Sequence, residues 1–190
     1  MLTDKQIRET LLEKLKKDNS EKSFRIVEEL VICDGLARAD VALINGKLHG
    51  YEIKSDLDTL ERLPNQKKYY DLTFEKSTII IGKKFENKIF DFIPEHWGVI
   101  LAYENKFGNI TFKMIRSAKS NKSTLSDGLL DLLWNDEIKV LLKSNNIKGY
   151  SNKPKTYLKE LVNMNINYRE LVDYAKETLK NRTGWRADLP

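Results

Sequence analysis

The stretch that decides the fold runs from Arg38 to Lys54 and reads Arg-Ala-Asp-Val-Ala-Leu-Ile-Asn-Gly-Lys-Leu-His-Gly-Tyr-Glu-Ile-Lys. Two runs of mainly apolar, β-favouring residues flank an Asn-Gly pair, which is the strongest short-range signal for a β-hairpin. Glu52 and Lys54 are two apart on the second strand, so their side chains leave from one face while Ile53 faces the core. The sequence therefore predicts a hairpin that carries a carboxylate and an amine on the same face.

The register of this hairpin decides whether Asp40 joins that pair. A plain two-residue turn would direct Asp40 and Glu52 to opposite faces of the sheet. A shared site needs Ile44 opposite Leu48, or one extra residue absorbed elsewhere. We therefore expect an odd-length loop or a β-bulge, with Gly50 as the expected bulge position. Two carboxylates on opposite faces would contradict a catalytic interpretation.

Two carboxylates and an amine held together indicate a divalent metal ion next to an activated water. Asp40 and Glu52 are hard oxygen ligands suited to Mg²⁺, for which Mn²⁺ is expected to substitute. The tripeptide Glu-x-Lys alone is weak evidence, because it recurs three times elsewhere in the chain. What distinguishes Glu52 and Lys54 is the upstream Asp40 on a partner strand. The alternative is an edge hairpin whose exposed face carries ordinary charges.

Three spaced motifs carry a family resemblance: Arg-Ala-Asp at 38–40, Glu-Ile-Lys-Ser at 52–55 and Asp-x-Asp-Thr-Leu-x-Arg-Leu at 56–63. Together they resemble the PD-(D/E)XK nuclease superfamily, and within it they are most similar to the MmcB-like DNA-repair endonucleases. The resemblance covers about residues 5–103. One departure is Ala39, which stands where a proline often precedes the aspartate.

The resemblance implies an α/β fold, with a restriction-endonuclease-like αβββαβ core and a mixed sheet. It also implies a divalent-metal-dependent nuclease that hydrolyses DNA phosphodiester bonds, in DNA repair or defence. Asp40, Glu52 and the backbone carbonyl of Ile53 would be the metal ligands. Lys54 would orient the attacking water and offset charge on the phosphate. A nuclease-like fold that binds nucleic acid or protein without cleavage is the alternative.

Five further residues are candidates for supporting roles. Glu29 is expected to approach the metal, by similarity with the Glu-Leu pair of MmcB-like chains; the alternative is a solvated carboxylate. Gln66 and Tyr70 match the Gln-x-x-x-Tyr helix motif of RecB-like nucleases and lie on one helix face. There Gln66 could order the substrate strand and Tyr70 could stack or bind phosphate, unless they are a helix surface and a core tyrosine. Arg38 and Arg62 could contact phosphates.

Composition excludes several other kinds of chemistry. With one cysteine and two histidines, the chain cannot form a Cys/His zinc cluster or an internal disulfide. The absence of an internal disulfide fits a reducing cytoplasm. It has no phosphate-binding loop motif, no signal-peptide core and no apolar run of membrane-spanning length. The net charge of +5 is spread along the chain and is only mildly favourable for a DNA partner.

His49 is expected to pack within its strand, and Trp97 and Trp134 are expected in the core. Monomer and homodimer are both left open.

Hydrophobic periodicity predicts the order of elements along the chain. The expected elements are a helix at Asp4–Lys17 capped by Thr3, a strand at Phe24–Ile32, the hairpin, a helix from Pro64 to Phe74, a strand at Ser77–Ile81, a helix at Phe85–Ile93, and strands at Val99–Tyr103 and Ile110–Ile115. This order is the αβββαβ order followed by a further helix and two strands.

The chain is expected to change character near the polar, basic linker 116–123. We divide it into a nuclease-like domain, 1–118, and an all-helical C-terminal segment, 119–190. Within that segment helices are predicted at 125–142, around Trp134, and twice within 156–180. The segment is either a cap over the core, which the leucine-rich first helix favours, or a small nucleic-acid-binding appendage that faintly resembles a SAP module.

Overall fold

A six-stranded mixed sheet in the order β1-β2-β3-β4-β5-β6 organises the computed structural model, which describes residues 1–121 and 126–184. Its helices and strands are α1 Asp4–Asp18, β1 Arg25–Ile32, β2 Ala37–Ile44, β3 Leu48–Lys54, α2 Leu63–Thr73, β4 Lys76–Ile81, β5 Gly98–Glu104, β6 Ile110–Arg116, α3 Ser126–Leu132, α4 Asn135–Ser144, α5 Lys155–Asn165 and α6 Tyr168–Asn181. The first three strands are antiparallel, β3, β4 and β5 are parallel, and β6 is antiparallel to β5. The fold is therefore mixed α/β with C-terminal helices, as predicted.

Helix α1 covers one face of the sheet and begins where the sequence predicts. Thr3 caps it, since the Thr3 Oγ1 accepts from the backbone N–H of Gln6 and the Gln6 side chain accepts from the Thr3 N–H. Ile7, Leu11 and Leu15 are buried against the sheet. Helices α2 to α6 cover the opposite face.

The β2–β3 hairpin has the register that a shared site needs. Ile44 lies opposite Leu48, so the loop has three residues, and its Gly46 has a φ of 107°. The predicted odd-length loop is confirmed. The alternative, a β-bulge at Gly50, does not occur, because Gly50 pairs regularly with Ala42. A Cβ at Gly50 would lie 2.5 Å from the Phe74 ring, so this glycine instead permits the close approach of that ring.

The helix predicted over residues 85–93 is absent, and two short 3-10 turns, Lys83–Phe85 and Ile89–Asp91, take its place. Phe85, Ile89 and Ile93 are buried as their helical spacing predicts. Pro94 disfavours helical backbone at the residue before it, and separate turns bury the same side chains without a continuous helix.

The C-terminal helices share a core with the sheet. Leu129, Leu130 and Leu133 are buried in the same apolar cluster as side chains of β1 and β2. The backbones of α3 and α2 approach so closely that a Cβ at Gly128 would lie 2.2 Å from the Leu72 carbonyl oxygen. This packing favours a cap over a separate appendage.

Two details of the helical segment differ from the sequence-based expectation. The predicted first helix is divided into α3 and α4, and Trp134, expected in the core, lies between them and is 50% exposed. Its backbone N–H donates to Glu137, and its ring stacks under the Arg182 guanidinium at 4.4 Å. The break between α5 and α6 is confirmed. Of the predicted linker, residues 122–125 lie outside the described residues, whereas the Asn121 N–H donates to the Glu75 carbonyl.

No helix in the described parts of the chain is both long enough and apolar enough to span a membrane.

Candidate active site

A cleft of about 950 Å³ opens between the ends of β2 and β3, the start of α2 and the loops beside them. Seven of the predicted site residues line it: Arg38, Asp40, Glu52, Ile53, Lys54, Arg62 and Gln66. The structure therefore brings together residues that are up to 28 positions apart in the sequence. Of the remaining two candidates, Tyr70 is buried beneath the cleft and contacts Glu52, whereas Glu29 is partly exposed outside the lining and contacts Arg38.

Asp40 lies where the pairing of β2 with its neighbours is interrupted. The paired residues of β1 and β2 skip Glu29 and Asp40, and Glu29 has a left-handed φ of 53°. The Asp40 carbonyl accepts from Arg8 Nη1 at 2.8 Å, and its N–H donates to the Tyr70 hydroxyl at 3.3 Å. Its Oδ2 accepts from the Ile53 N–H at 2.7 Å, so the carboxylate is fixed against the backbone of β3.

Glu52 is fully buried and receives three hydrogen bonds. Its Oε1 accepts from Lys54 Nζ and from Gln66 Nε2, each at 2.6 Å, and its Oε2 accepts from the Tyr70 hydroxyl at 2.7 Å. A buried carboxylate is tolerated only with such partners. Gln66 and Tyr70 are one helical turn apart, so α2 presents both to the same carboxylate.

For the α2 pair the structure excludes base stacking by Tyr70, which is a core tyrosine, whereas the role of Gln66 in ordering the substrate strand stays a prediction. Tyr70 is fully buried, so it cannot stack on a base, and it orients Glu52 instead. Gln66 also binds Glu52, although it lines the cleft. The helix motif therefore predicts that Gln66 and Tyr70 lie near the site. It does not predict that both bind Glu52, which depends on how α2 packs on β3.

The site has an excess of negative charge. Burial, and then the neighbouring charge of Glu52, raise the pKa of Asp40 to about 7; the Ile53 N–H, Arg8 and Lys54 only partly offset these effects. Burial and the charges of Glu52 and Asp40 likewise raise the pKa of Tyr70 well above its usual value. A bound cation would stabilise both ionised carboxylates.

Arg8 is a site residue that the sequence analysis missed. Its Nη2 lies 3.4 Å from Asp40 Oδ1 and 3.1 Å from Asp4, and its Nη1 lies 2.8 Å from Glu29 Oε1. Glu29 also pairs with Arg38 at 2.5 Å and is 42% exposed. Glu29 therefore reaches Asp40 only through Arg8, and the structure does not place it with the acidic pair as predicted. No sequence signal marks Arg8, which lies on a helix with many charges.

The donor set fits a divalent cation of the kind predicted. Asp40 and Glu52 supply carboxylate oxygens, and Ile53 lies between Glu52 and Lys54 in the lining of the cleft. The Gln66 Oε1 is buried and accepts no hydrogen bond from any described residue, so it can accept one from a metal-bound water. No group of three or more His, Cys, Asp or Glu side chains suited to a metal occurs within 1–121 and 126–184. Two carboxylates and a backbone oxygen suit Mg²⁺, which keeps several waters.

The other polar residues of the hairpin region have structural partners. Asp56 accepts from the backbone N–H groups of Leu2 and Lys84, and Asp58 accepts from Ser55. His49 stacks on Tyr51 and lies 2.8 Å from the Thr78 hydroxyl, which confirms its packing role, and burial lowers its pKa to about 3. Trp97 is fully buried, as predicted.

Comparison with known proteins identifies the family. The family model described as Bacteriophage P4 protein cII matches residues 1–188. The chain belongs to the bacteriophage P4 cII family. Protein cII of Enterobacteria phage P4 is 28% identical over 182 residues, which cover 96% of this chain and 68% of that protein. No solved structure matches the chain significantly. The name of the P4 cII family specifies no reaction, so the function must be argued from the site.

Proposed function

We propose that this P4 cII-family protein is a divalent-metal-dependent nuclease that hydrolyses DNA phosphodiester bonds. The observation that carries the proposal is the convergence of Asp40, Glu52 and Lys54 in one cleft, with the Asp40 pKa raised to about 7. Titratable groups with strongly perturbed pKa values in a cleft are typical of catalytic sites. The element order α1-β1-β2-β3-α2-β4 supports a restriction-endonuclease-like core.

Each residue has a defined part in the proposed reaction. Asp40, Glu52 and the Ile53 carbonyl would hold Mg²⁺ or Mn²⁺, which when bound lowers the pKa of water and neutralises charge on the phosphate. Lys54 donates a hydrogen bond to the attacking water or to a non-bridging phosphate oxygen, so it orients the nucleophile and stabilises developing negative charge. Gln66 accepts a hydrogen bond from water through its free Oε1. Arg8 holds Asp40 in position.

The cations at the mouth of the cleft can bind flanking phosphates. Arg62 is exposed and makes no ion pair with any residue that the structure describes. Arg38 is 66% exposed, although it pairs with Glu29. Phosphate contacts of this kind position a strand without reading its sequence. Action in the cytoplasm, in DNA repair or in defence, is part of the same proposal.

A binding module without cleavage is the second candidate. The observation in its favour is the complete set of donors on Glu52, since Lys54, Gln66 and Tyr70 could form a purely structural network. Against it, a structural network does not require Asp40 beside Glu52, where like charges oppose each other and repel phosphate. Activity measurements separate the two candidates.

The test is cleavage of single- and double-stranded DNA by the purified protein with Mg²⁺, Mn²⁺ or EDTA. We expect cleavage with either metal, and none with EDTA. Asp40→Ala, Glu52→Ala and Lys54→Ala should each abolish it, and the two carboxylate variants should also lose metal binding. Gln66→Ala should reduce the rate only partly, because Lys54 and Tyr70 still hold Glu52.

The chain provides matched controls for these variants. Glu104 and Lys106 have the same Glu-x-Lys spacing at the exposed end of β5, so Glu104→Ala and Lys106→Ala should leave cleavage unchanged. Wild-type turnover by Lys54→Ala would refute the role of Lys54. Metal-independent DNA binding with no cleavage under any condition would favour the binding module.

A further inference from the structure

Exposed apolar side chains line the same cleft as the acidic site. Val31, Leu36 and Leu57 are 53%, 68% and 62% exposed, and all three face this opening. Leu36 follows β1, whereas Leu57 follows β3, so they come from two separate loops. Large apolar side chains that gather at a polar cleft indicate a contact surface.

The loop that carries Leu36 has a strained but fixed conformation. Cys33, Asp34 and Gly35 have φ values of 51°, 51° and 94°, so three successive residues are left-handed. The Leu36 N–H donates to the Cys33 carbonyl at 3.1 Å. Such backbone strain persists only where surrounding contacts impose it, and it concentrates at functional sites.

The C-terminal helices supply those contacts. Lys155 of α5 donates to Asp34 Oδ1 at 3.1 Å and to the Asp131 carbonyl at 2.9 Å. Lys159 forms an ion pair with the Asp131 carboxylate of α3 and lies 3.8 Å from Asp34. The helical cap therefore fixes the loop that presents Leu36 to the cleft.

We propose that Leu36 and Leu57 contact the faces of unpaired bases, and that the substrate is DNA with a single-stranded segment at the scissile phosphate. This inference rests on the proposed function and names its substrate class. A duplex keeps its bases stacked, so leucine side chains reach base faces there only at the cost of unstacking a base step. Unpaired bases offer their faces to side chains without that cost, and single-strand binding sites combine contacts to base faces with a cationic groove.

The dimensions and charges of the cleft agree with this assignment. Its volume of about 950 Å³ is that of a site for a drug-sized ligand, which a few nucleotides of one strand would fill. Arg62 and Arg38 lie at the mouth, whereas Glu52 is buried at the floor. A strand can therefore bind its phosphates at the mouth while one phosphate approaches the acidic site.

The test is equilibrium binding by fluorescence anisotropy, with a single-stranded oligonucleotide and the matching duplex. Binding is measured in the Lys54→Ala background with Mg²⁺, so that the result does not depend on cleavage. We expect tighter binding of the single strand. The double variant Leu36→Ala and Leu57→Ala should weaken single-strand binding by about ten-fold or more and change duplex binding less than about two-fold.

Controls separate base contact from loss of structure. Met164→Ala and Phe107→Ala remove equally exposed apolar side chains outside the cleft and should leave both affinities unchanged. Lys155→Ala should weaken single-strand binding by releasing the Leu36 loop. Tighter binding of the duplex than of the single strand by the Lys54→Ala protein, or equal losses for both DNAs when the two leucines are also replaced, would overturn the inference. Failure of the proposed nuclease function would instead appear as absence of metal-dependent cleavage by the wild type.

Discussion

Replacement of Asp40 by asparagine tests the electrostatics of the site without requiring any knowledge of the substrate. Asp40→Asn keeps an oxygen that can accept from the Ile53 N–H, and it removes the negative charge that opposes Glu52. In the absence of metal, the variant should be more stable than the wild type at pH 8. At pH 5 the difference should be smaller, about 1–2 kcal/mol, because only the part of the titration between 3.8 and 5 has then taken place.

The magnitude follows from the pKa of Asp40. Burial and the charge of Glu52 raise it from 3.8 to about 7, so ionisation costs the folded protein about 4 kcal/mol more than the unfolded chain. Between these two pKa values the folded state binds more protons than the unfolded state. Wild-type stability therefore falls as the pH rises through this window. The pKa of about 7 already includes the favourable charge of Arg8, so the expected net stabilisation by Asp40→Asn at pH 8 is about 4 kcal/mol.

Urea unfolding, followed by tryptophan fluorescence at pH 5 and pH 8 with EDTA, measures the free energy of unfolding of both proteins. Addition of Mg²⁺ at about 100 times its dissociation constant should stabilise the wild type by about 2.7 kcal/mol at pH 8, and should not stabilise Asp40→Asn. Asp136→Asn is the control, because its carboxylate is 92% exposed and distant from the site in the fold. The reasoning is refuted if the stability of Asp40→Asn relative to the wild type is no greater at pH 8 than at pH 5.

Three further predictions concern the packing around the site. Tyr70→Phe should lower the free energy of unfolding by about 1–3 kcal/mol, because a buried carboxylate oxygen loses its donor; unchanged urea stability would show that the bond contributes nothing. Gly128→Ala should destabilise by about 1–3 kcal/mol or more, since the new Cβ meets a backbone carbonyl that cannot easily move, and a wild-type melting temperature would contradict this packing. The fragment 1–123 should aggregate or melt early, because it exposes the sheet face that the C-terminal helices cover. A soluble, monomeric fragment with a sharp thermal transition would instead favour an independent appendage.

The hairpin and its register were predictable because chemistry and geometry constrain each other there. The Asn-Gly signal located the turn, and the need to bring Asp40 and Glu52 together required an odd loop length, which the structure has. The four-residue spacing of Gln66 and Tyr70 likewise predicted that both would lie on one face of α2. These features depend on local periodicity, which a sequence displays directly.

Features that depend on contacts between distant elements were not predictable in the same way. Arg8 and Asp40 are 32 positions apart in the sequence, and α1 contains many other charged residues that nothing in the sequence distinguishes from Arg8. The sequence offers Gly50 as a possible bulge position and does not show its packing against the Phe74 ring, which comes from a different element. Trp134 is expected in the core, yet it lies at a break between helices where Arg182 covers its ring. Each case requires knowledge of which surfaces meet.

The position of Asp34 gives the helical segment a part in the proposed function beyond covering the core. A cap needs only apolar contacts, which α3 supplies through its leucines. In addition, Lys155 and Lys159 of α5 pair with the carboxylate of Asp34, in the strained loop at the edge of the cleft. The loop that carries Leu36 borders the same opening as Asp40 and Lys54. A change in the packing of α5 should therefore alter the mouth of the cleft more than its floor. Variants of Lys155 should therefore change substrate affinity more than metal affinity, whereas variants of Arg8 should do the reverse.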